Sequence, residues 1–457
     1  MVAHKDSDLI IDTEIIDLAY DGRAVGTRDG KIVFLDAGLP GDRVRAEIIK
    51  RKAAYDLGRV LEITELGRDR IPARCRHYAI CGGCSRQDLA YDRQLYYKRK
   101  QVVDCMKHIG KIADVTVDET IGAPQEFFYR NKMEFSFNTS PDGGFTLGLH
   151  RRRRFNEIFD VEECLLQSEL SNRIVNYFRE FIAARGIKVY NVDNHHGYVR
   201  FLMIRQAKNA EEMLINLVTT EGAMPDQERL VAELTGKFPQ IKTIVHNINS
   251  KKANIARGEK ETVLYGKGYI EEKLLDRRFR IYANSFFQTN TVQTGVLYGR
   301  AFEMFKPDDN DVMIDLYCGS GAIGICAAKL VRRVIGIEIE AAATAAATAN
   351  ARDNGIDNIA FHTGSVDKIM YHHPEIFEAA TGAIVDPPRA GMNPKALERL
   401  AALNLEKIVY ISCNPATLAR DARRLLDRGY RMEKIVPVDM FPQTTHIEAV
   451  TGFYKCN

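Results

Sequence analysis

Between Ile10 and Ile63 apolar and polar positions alternate in short runs, among them Ile32-Val33-Phe34 and Arg43-Val44-Arg45-Ala46-Glu47-Ile48, broken at Asp21-Gly22, Asp29-Gly30 and Pro40-Gly41. A period of two places one set of side chains on each face of a strand, and Gly beside Asp or Pro supplies the turns, so this stretch predicts a small antiparallel β-barrel. From Asp88 to Ile109 the period becomes helical, rich in Tyr, Lys and Arg, and it stops at Gly110. Between Phe127 and about Arg280, strand patterns with turn signals at Asp142-Gly143-Gly144 and Asn194 to Gly197 interleave with helices such as Glu169 to Arg185. From Asp311 apolar strands alternate with helices: Val312 to Leu316, Val334 to Ile337, Ala383 to Val385 and Ile408 to Ile411. Such alternation implies a parallel, doubly wound sheet with ligands at the carboxyl ends of its strands. The Ala-rich stretch 341–351 has high helix propensity. The expected fold class is α/β, with an OB-like barrel over 1–68, an α+β central domain over 69–285 and a Rossmann-like domain over 286–457, on which helix 88–109 is placed to pack.

Bulk properties set limits on this picture. At 457 residues and 45% apolar content the chain has room for two or three packed domains. No run of about 18 uncharged apolar residues occurs, and Met1 to Asp12 carries charges where a signal peptide needs an apolar core, so a cytoplasmic protein with no membrane partner is expected. A net charge of +3 argues neither for nor against nucleic acid, so any RNA footprint must come from local clusters. One is His150-Arg151-Arg152-Arg153-Arg154-Phe155, a dense positive run beside an aromatic; a second is Lys50, Arg51, Lys52 and Arg59 in the barrel. Either could be a solvated face or a phosphate ligand.

The third segment carries the chemistry. Its first strand runs into Asp315-Leu316-Tyr317-Cys318-Gly319-Ser320-Gly321-Ala322-Ile323-Gly324, with glycines where backbone must turn tightly against a ligand. Glu338, ending the next strand, suits both hydroxyls of an adenosine ribose. The spacing of Gly319, Gly321 and Gly324 also fits a dinucleotide; Asp315 would repel a pyrophosphate and suits the ammonium of S-adenosylmethionine. Asp386-Pro387-Pro388-Arg389 and Ser412-Cys413-Asn414-Pro415 each follow an apolar strand, hence stand at the ligand edge. A helix opening near Ala416 would lower the pKa of Cys413 and favour thiolate. In Pro442-Gln443-Thr444-Thr445-His446-Ile447-Glu448, burial would raise the pKa of Glu448 towards that of a working base.

Nine cysteines, most of them scattered singly, suit a reducing compartment. Cys75, Cys81 and Cys84 form a close group, and Cys164 can supply a fourth ligand; four thiolates suit zinc or a cubane iron-sulfur cluster equally. Cys105, Cys318, Cys326 and Cys456 are assigned to packing or surface.

The chain resembles the uracil-5 RNA methyltransferases, specifically the bacterial 23S ribosomal RNA enzymes with a TRAM domain and an iron-sulfur cluster. The resemblance lies in Phe286-Phe287-Gln288-Thr289-Asn290, Asp315 to Gly319, Asp386 to Arg389, Ser412 to Pro415 and His446-Ile447-Glu448, in register over essentially the whole chain. It implies S-adenosylmethionine as methyl donor, Cys413 as nucleophile and Glu448 as base, with Gln288, Tyr317, Glu338 and Asp386 at the cofactor. Ser365 stands where relatives have an acidic or amide residue for the adenine, and Asp367 is the substitute nearby. It also implies a [4Fe-4S] cluster on Cys75, Cys81, Cys84 and Cys164, and RNA as partner, 23S rRNA first and tRNA second, with no protein partner implied. Tyr129-Arg130-Asn131-Lys132 resembles a family segment that either binds RNA or structures the domain. Amino-group methyltransferases share the Asp-Pro-Pro motif but need no cysteine, and a non-catalytic RNA-binding factor needs neither Cys413 nor Glu448.

Overall fold

The computed structural model describes residues 9–140 and 143–456; Met1 to Asp8 of the charged N-terminal stretch and Asp142 of the predicted turn lie outside the described residues. In the strand Arg43–Arg51, Val44, Ala46 and Ile48 face inward while the charged residues between them face out, as period two requires. With Ile10–Glu14, Asp17–Leu18, Ala24–Arg28, Lys31–Leu35 and Tyr55–Glu65 it forms a six-stranded sheet. That sheet curls until its first and third strands meet, Thr13 Oγ1 donating to the Thr27 carbonyl at 2.9 Å and Ile16 N–H to the Val25 carbonyl at 2.8 Å. Fully buried Asp42 closes the exit: its carboxylate accepts from Leu39 N–H, Gly67 N–H and the Arg70 guanidinium.

A mixed seven-stranded sheet follows, ordered Lys260–Gly266, Ile241–Ile248, Met213–Thr219, Val199–Gln206, Lys132–Thr139, Phe145–Arg151 and Arg154–Asp160, with helices Glu169–Ala184 and Gln227–Lys237. The third sheet is ordered Ile359–Thr363, Arg333–Glu338, Val312–Leu316, Gly382–Val385, Lys407–Ser412, Glu448–Lys455 and Tyr430–Val438. Its first five strands are parallel, Glu448–Lys455 runs against them, and Tyr430–Val438 at the edge is antiparallel to Glu448–Lys455. Helices cover both faces, which is why Val312–Leu316 and Gly382–Val385 are wholly buried and read as unbroken apolar runs. The α/β class and the doubly wound third sheet match expectation.

The helix expected from Asp88 spans Tyr91–His108, because Asp88 is engaged beforehand: Arg70 and the Tyr78 hydroxyl both donate to its carboxylate. This helix joins two cores. Tyr97, with Leu89 just upstream, packs into the barrel, while Val102, Cys105 and Met106 pack with the third sheet.

Candidate active site

Parallel strands place their carboxyl ends at one edge of the third sheet. Leu316 pairs with Ile337 and Val385, and Val385 with Tyr410, so Tyr317, Glu338 and Asp386 emerge from three neighbouring strands at one level and Cys413 from the fourth, two residues further out. The next strand of the sheet, its sixth, runs the other way and begins at Glu448. Ser412 pairs with Ala449 as the last rung, so Cys413 leaves one strand beside the point where Glu448 enters the other, close enough for the Glu448 carboxyl to act on the thiol. All five residues, with Gln288 and Gly319, line one cavity of about 1140 Å³.

The wall towards the Ala-rich helix has the chemistry of a nucleoside site. Glu338 is fixed by Gly319 N–H (3.0 Å) and Glu340 N–H (2.9 Å), leaving each carboxylate oxygen a free lone pair towards the cavity. Gly319, at φ +54°, meets no atom within 4 Å where a Cβ would stand, so the turn is open for a ligand to lie against it. Gln288 Nε2 donates to Asp386 Oδ2 at 3.4 Å. Asn131 fixes Gln288, its Nδ2 donating to the Gln288 carbonyl (2.8 Å) and its N–H to that of Thr289 (2.8 Å); in the Tyr129 to Lys132 segment, Asn131 therefore has a structural task. These residues fit an adenosyl cofactor.

The wall towards Cys413 is electrostatically loaded. Burial, then the nearby Asp386, pushes the Glu448 carboxyl well above the usual carboxylate range, and burial pushes Asp386 up to about 7. Cys413 departs from expectation: burial, then Glu448 and Asp386, pushes the half-buried thiol up to about 12, against a lowering by Arg389. Asn414 does cap the helix Pro415–Asp427, but burial and two facing carboxyls outweigh the helix end. His446, on the same wall, is pushed down to about 4 by burial and by Arg389, Lys98 and Arg130, so it is a neutral imidazole at pH 7.

Three other expectations are corrected by placement. Asp315 does not line the cavity; it is fully buried beneath the turn, its Oδ2 accepting from Gly324 N–H at 2.8 Å. A Cβ on Gly324 would stand 2.9 Å from that oxygen, so the glycine admits the carboxylate, which braces the turn. Ser365, before the helix Val366–His372, and Asp367 are likewise absent from the cavity lining. Arg152 is no outward phosphate ligand: its guanidinium lies 4.9 Å from the Tyr78 ring centroid and donates to the carbonyls of Tyr78, Cys81 and Cys84. Arg153 pairs with Asp36 of the barrel, whereas Arg151 and Arg154 face Glu157 on an exposed hairpin end. Lys50, Arg51, Lys52 and Arg59 lie exposed on the barrel, Arg59 paired with Glu47.

Cys75, Cys81, Cys84 and Cys164 line a second cavity of about 750 Å³, which shares Arg130 and Thr289 with the first. Among the described residues no three His, Cys, Asp or Glu side chains converge as for a single metal ion. The buried sulfurs nevertheless meet a set of hydrogen-bond donors. Burial pushes Cys81, Cys84 and Cys164 up, to about 12 and about 11 for the last two, while Gly83 N–H, Gln87 and the N–H groups of Leu166 and Gln167 point hydrogen bonds at their sulfurs. Arg130, Arg257, Asn284, Phe286 and His446 also line the active cavity; sequence reasoning gave the last four no site role and left Arg130 between RNA binding and structure. Arg130, His446 and Phe286, the last 68% exposed beside buried Phe287, stand in motifs that offered a signal.

Residues 90–455 match the family described as tRNA (uracil-5-)-methyltransferase. An uncharacterized RNA methyltransferase of Halalkalibacterium halodurans is 39% identical over 441 residues, 96% of each chain. Another from Chlorobaculum tepidum is 38% identical over 465 residues, 98% of this chain and 96% of its own. Among solved structures, the tRNA (uracil-54, C5)-methyltransferase of Pyrococcus abyssi in complex with S-adenosyl-L-homocysteine is similar with a TM-score of 0.77 and 30% identity, over 97% of this chain and 100% of that one.

Proposed function

The chain belongs to the tRNA (uracil-5-)-methyltransferase family and is an S-adenosylmethionine-dependent RNA methyltransferase, and from that premise we propose that it methylates carbon 5 of a uridine through a covalent bond between Cys413 and carbon 6 of the base. The observation that carries this reading is the placing of Cys413 and Glu448 together, just past the last pair of two antiparallel strands, on the wall of one cavity. Bound S-adenosylmethionine supplies the methyl that carbon 5 takes, and Glu338, Gln288, Tyr317, Gly319 and Asp386 would hold it. The Cys413 thiolate bonds to carbon 6, pushing ring electrons towards the carbonyl so that carbon 5 becomes an enolate nucleophile. After transfer Glu448 removes the carbon 5 proton; those electrons restore the C5–C6 double bond and expel the Cys413 sulfur. To reach this pair a uridine must leave its stack, which favours looped RNA.

For the RNA, the barrel's likeness to a TRAM domain and the exposed cations Lys50, Lys52, Arg59, Arg151 and Arg154 support a large folded partner, 23S rRNA. The full-length likeness to a tRNA (uracil-54, C5) enzyme favours transfer RNA as the second reading. The four cysteines support a [4Fe-4S] cluster: several N–H groups aimed at buried sulfurs suit thiolates bound to a metal cluster. Iron and sulfide near four each per chain after anaerobic purification are expected; stoichiometric zinc overturns the cluster. The function is tested by radiolabelled methyl transfer to unmodified 23S rRNA and tRNA with nucleoside analysis. Label in 5-methyluridine, abolished by Cys413→Ala, is expected; turnover surviving Cys413→Ala refutes the covalent route.

A further inference from the structure

We infer that Gln443 is a positioning residue for Glu448, tying the catalytic base to the segment that follows Cys84; the inference rests on the carbon 5 reading above. The loop from Asp439 to His446 leaves the edge strand Tyr430–Val438 and delivers Glu448 to the strand Glu448–Lys455 beside it. Side chains and backbone from several elements seize five of its carbonyls in succession. Gln293 Nε2 donates to Asp439 O (3.1 Å), Asn290 Nδ2 to Met440 O (3.2 Å), Lys98 Nζ to Phe441 O (3.1 Å) and the Tyr129 hydroxyl to Pro442 O (3.0 Å). The fifth, Gln443 O, takes both Ser85 N–H (2.9 Å) and Arg86 N–H (3.0 Å), directly after Cys84 in the chain.

Gln443 itself is held in a conformation its residue type disfavours. Its φ is +68°, in the left-handed region that residues bearing a Cβ seldom enter outside over-determined sites. A glycine would make the same turn without strain, so the turn alone gives no reason for a glutamine here. The reason is in the amide and the backbone together: Gln443 N–H donates to Gln94 Oε1 (3.0 Å), Gln94 Nε2 donates to Gln443 Oε1 (3.1 Å), and Gln443 Nε2 donates to Glu126 Oε2 (3.0 Å). The residue is 2% exposed, and all of these bonds end outside the third sheet. Downstream there is little slack. Thr444 Oγ1 accepts from His446 N–H (3.2 Å), and Thr445 packs on the barrel turn so closely that a Cβ on Gly22 would stand 2.8 Å from its methyl. A shift at Gln443 therefore passes along this gripped loop to His446 and Glu448.

The test compares wild type, Glu448→Gln, Gln443→Val and Gln443→Gly as full chains, on whichever RNA the transfer assay labels. It follows formation and decay of the denaturation-resistant RNA–protein adduct in single turnover, with the S-adenosylmethionine affinity measured beside it. Valine is β-branched and cannot sit comfortably at positive φ, so adduct should persist as in Glu448→Gln, with release at least tenfold slower and cofactor affinity unchanged. Glycine keeps the turn and loses only the amide, so release should slow severalfold, which serves if the valine variant does not fold. Normal release in Gln443→Gly, or a loss confined to RNA affinity, overturns the inference. Absence of adduct in Glu448→Gln itself overturns the underlying reading instead.

Discussion

Alkylation of Cys413 in the ligand-free chain provides a direct test of which force governs the nucleophile. A thiol pushed from 9.0 up to about 12 by burial, Glu448 and Asp386 holds roughly a thousandfold less thiolate at a given pH than an ordinary thiol. Its thiolate is intrinsically more reactive, and a Brønsted slope of about 0.4–0.5 returns roughly 15- to 30-fold over that range. The thiolate deficit wins, so iodoacetamide should react roughly 30- to 60-fold more slowly than with an unperturbed thiol. Slow labelling alone would also follow from poor access, so the pH slope decides. Followed by mass spectrometry of the Cys413 peptide from pH 7 to 10, the rate should rise about tenfold per pH unit with no plateau. Glu448→Gln, which removes one facing carboxyl, should raise the rate at pH 8. A plateau by pH 8 would refute the reasoning and show that the end of the helix Pro415–Asp427 outweighs burial. With no plateau, activation of the thiol would belong to the site with its cofactor bound, where added positive charge would offset the Glu448 and Asp386 carboxyls.

Two further outcomes follow from placement. Arg154→Ala should weaken RNA binding across sequences and lower the salt slope by about one without changing thermal stability, since its exposed pair with Glu157 is worth little. Arg152→Ala should instead destabilise the chain by about 2–3 kcal/mol, because three carbonyls around the cysteines lose a charged donor; filter binding and thermal melting separate the two. Asp315 is pushed by burial from 3.8 up to about 7. The folded state therefore holds this proton more tightly than the unfolded one, and the stability it contributes is full below about pH 4 and lost as pH rises to about 7, at no more than about 1.4 kcal/mol per pH unit. Asp315→Asn should flatten the apo melting profile across that window, and an unchanged profile would refute the assignment.

What could be read from the sequence divides along physical lines. Strands buried on both faces announce themselves as apolar runs, and residues directly after them must fall at one sheet edge, so Glu338, Asp386 and Cys413 were legible. The register that brings Cys413 beside Glu448 was not, because it depends on an antiparallel strand whose pairing is decided by the whole sheet. Asp315 was placed correctly along the chain but misread in direction. A carboxylate at a strand end turns up to a ligand or down to a backbone N–H according to whether Gly324 leaves it room. The four consecutive arginines looked equivalent, yet a hairpin with Arg153 at φ +64° sends them to different partners. Gln443 had no signal at all, since neither period nor composition marks a strained residue held by distant donors.

The docking of the barrel has a consequence for target choice. Its turn at Gly22 is held by the Arg86 guanidinium at 2.5 Å, its Asp36 by Arg153 and its Asp17 by Lys100. Held at three points, it is fixed in its distance from Cys413, so that the molecule works as a caliper. If the barrel grips RNA as proposed, that RNA would offer its uridine only if the two features lay one set span apart in its folded form, and selection would then measure length as much as sequence.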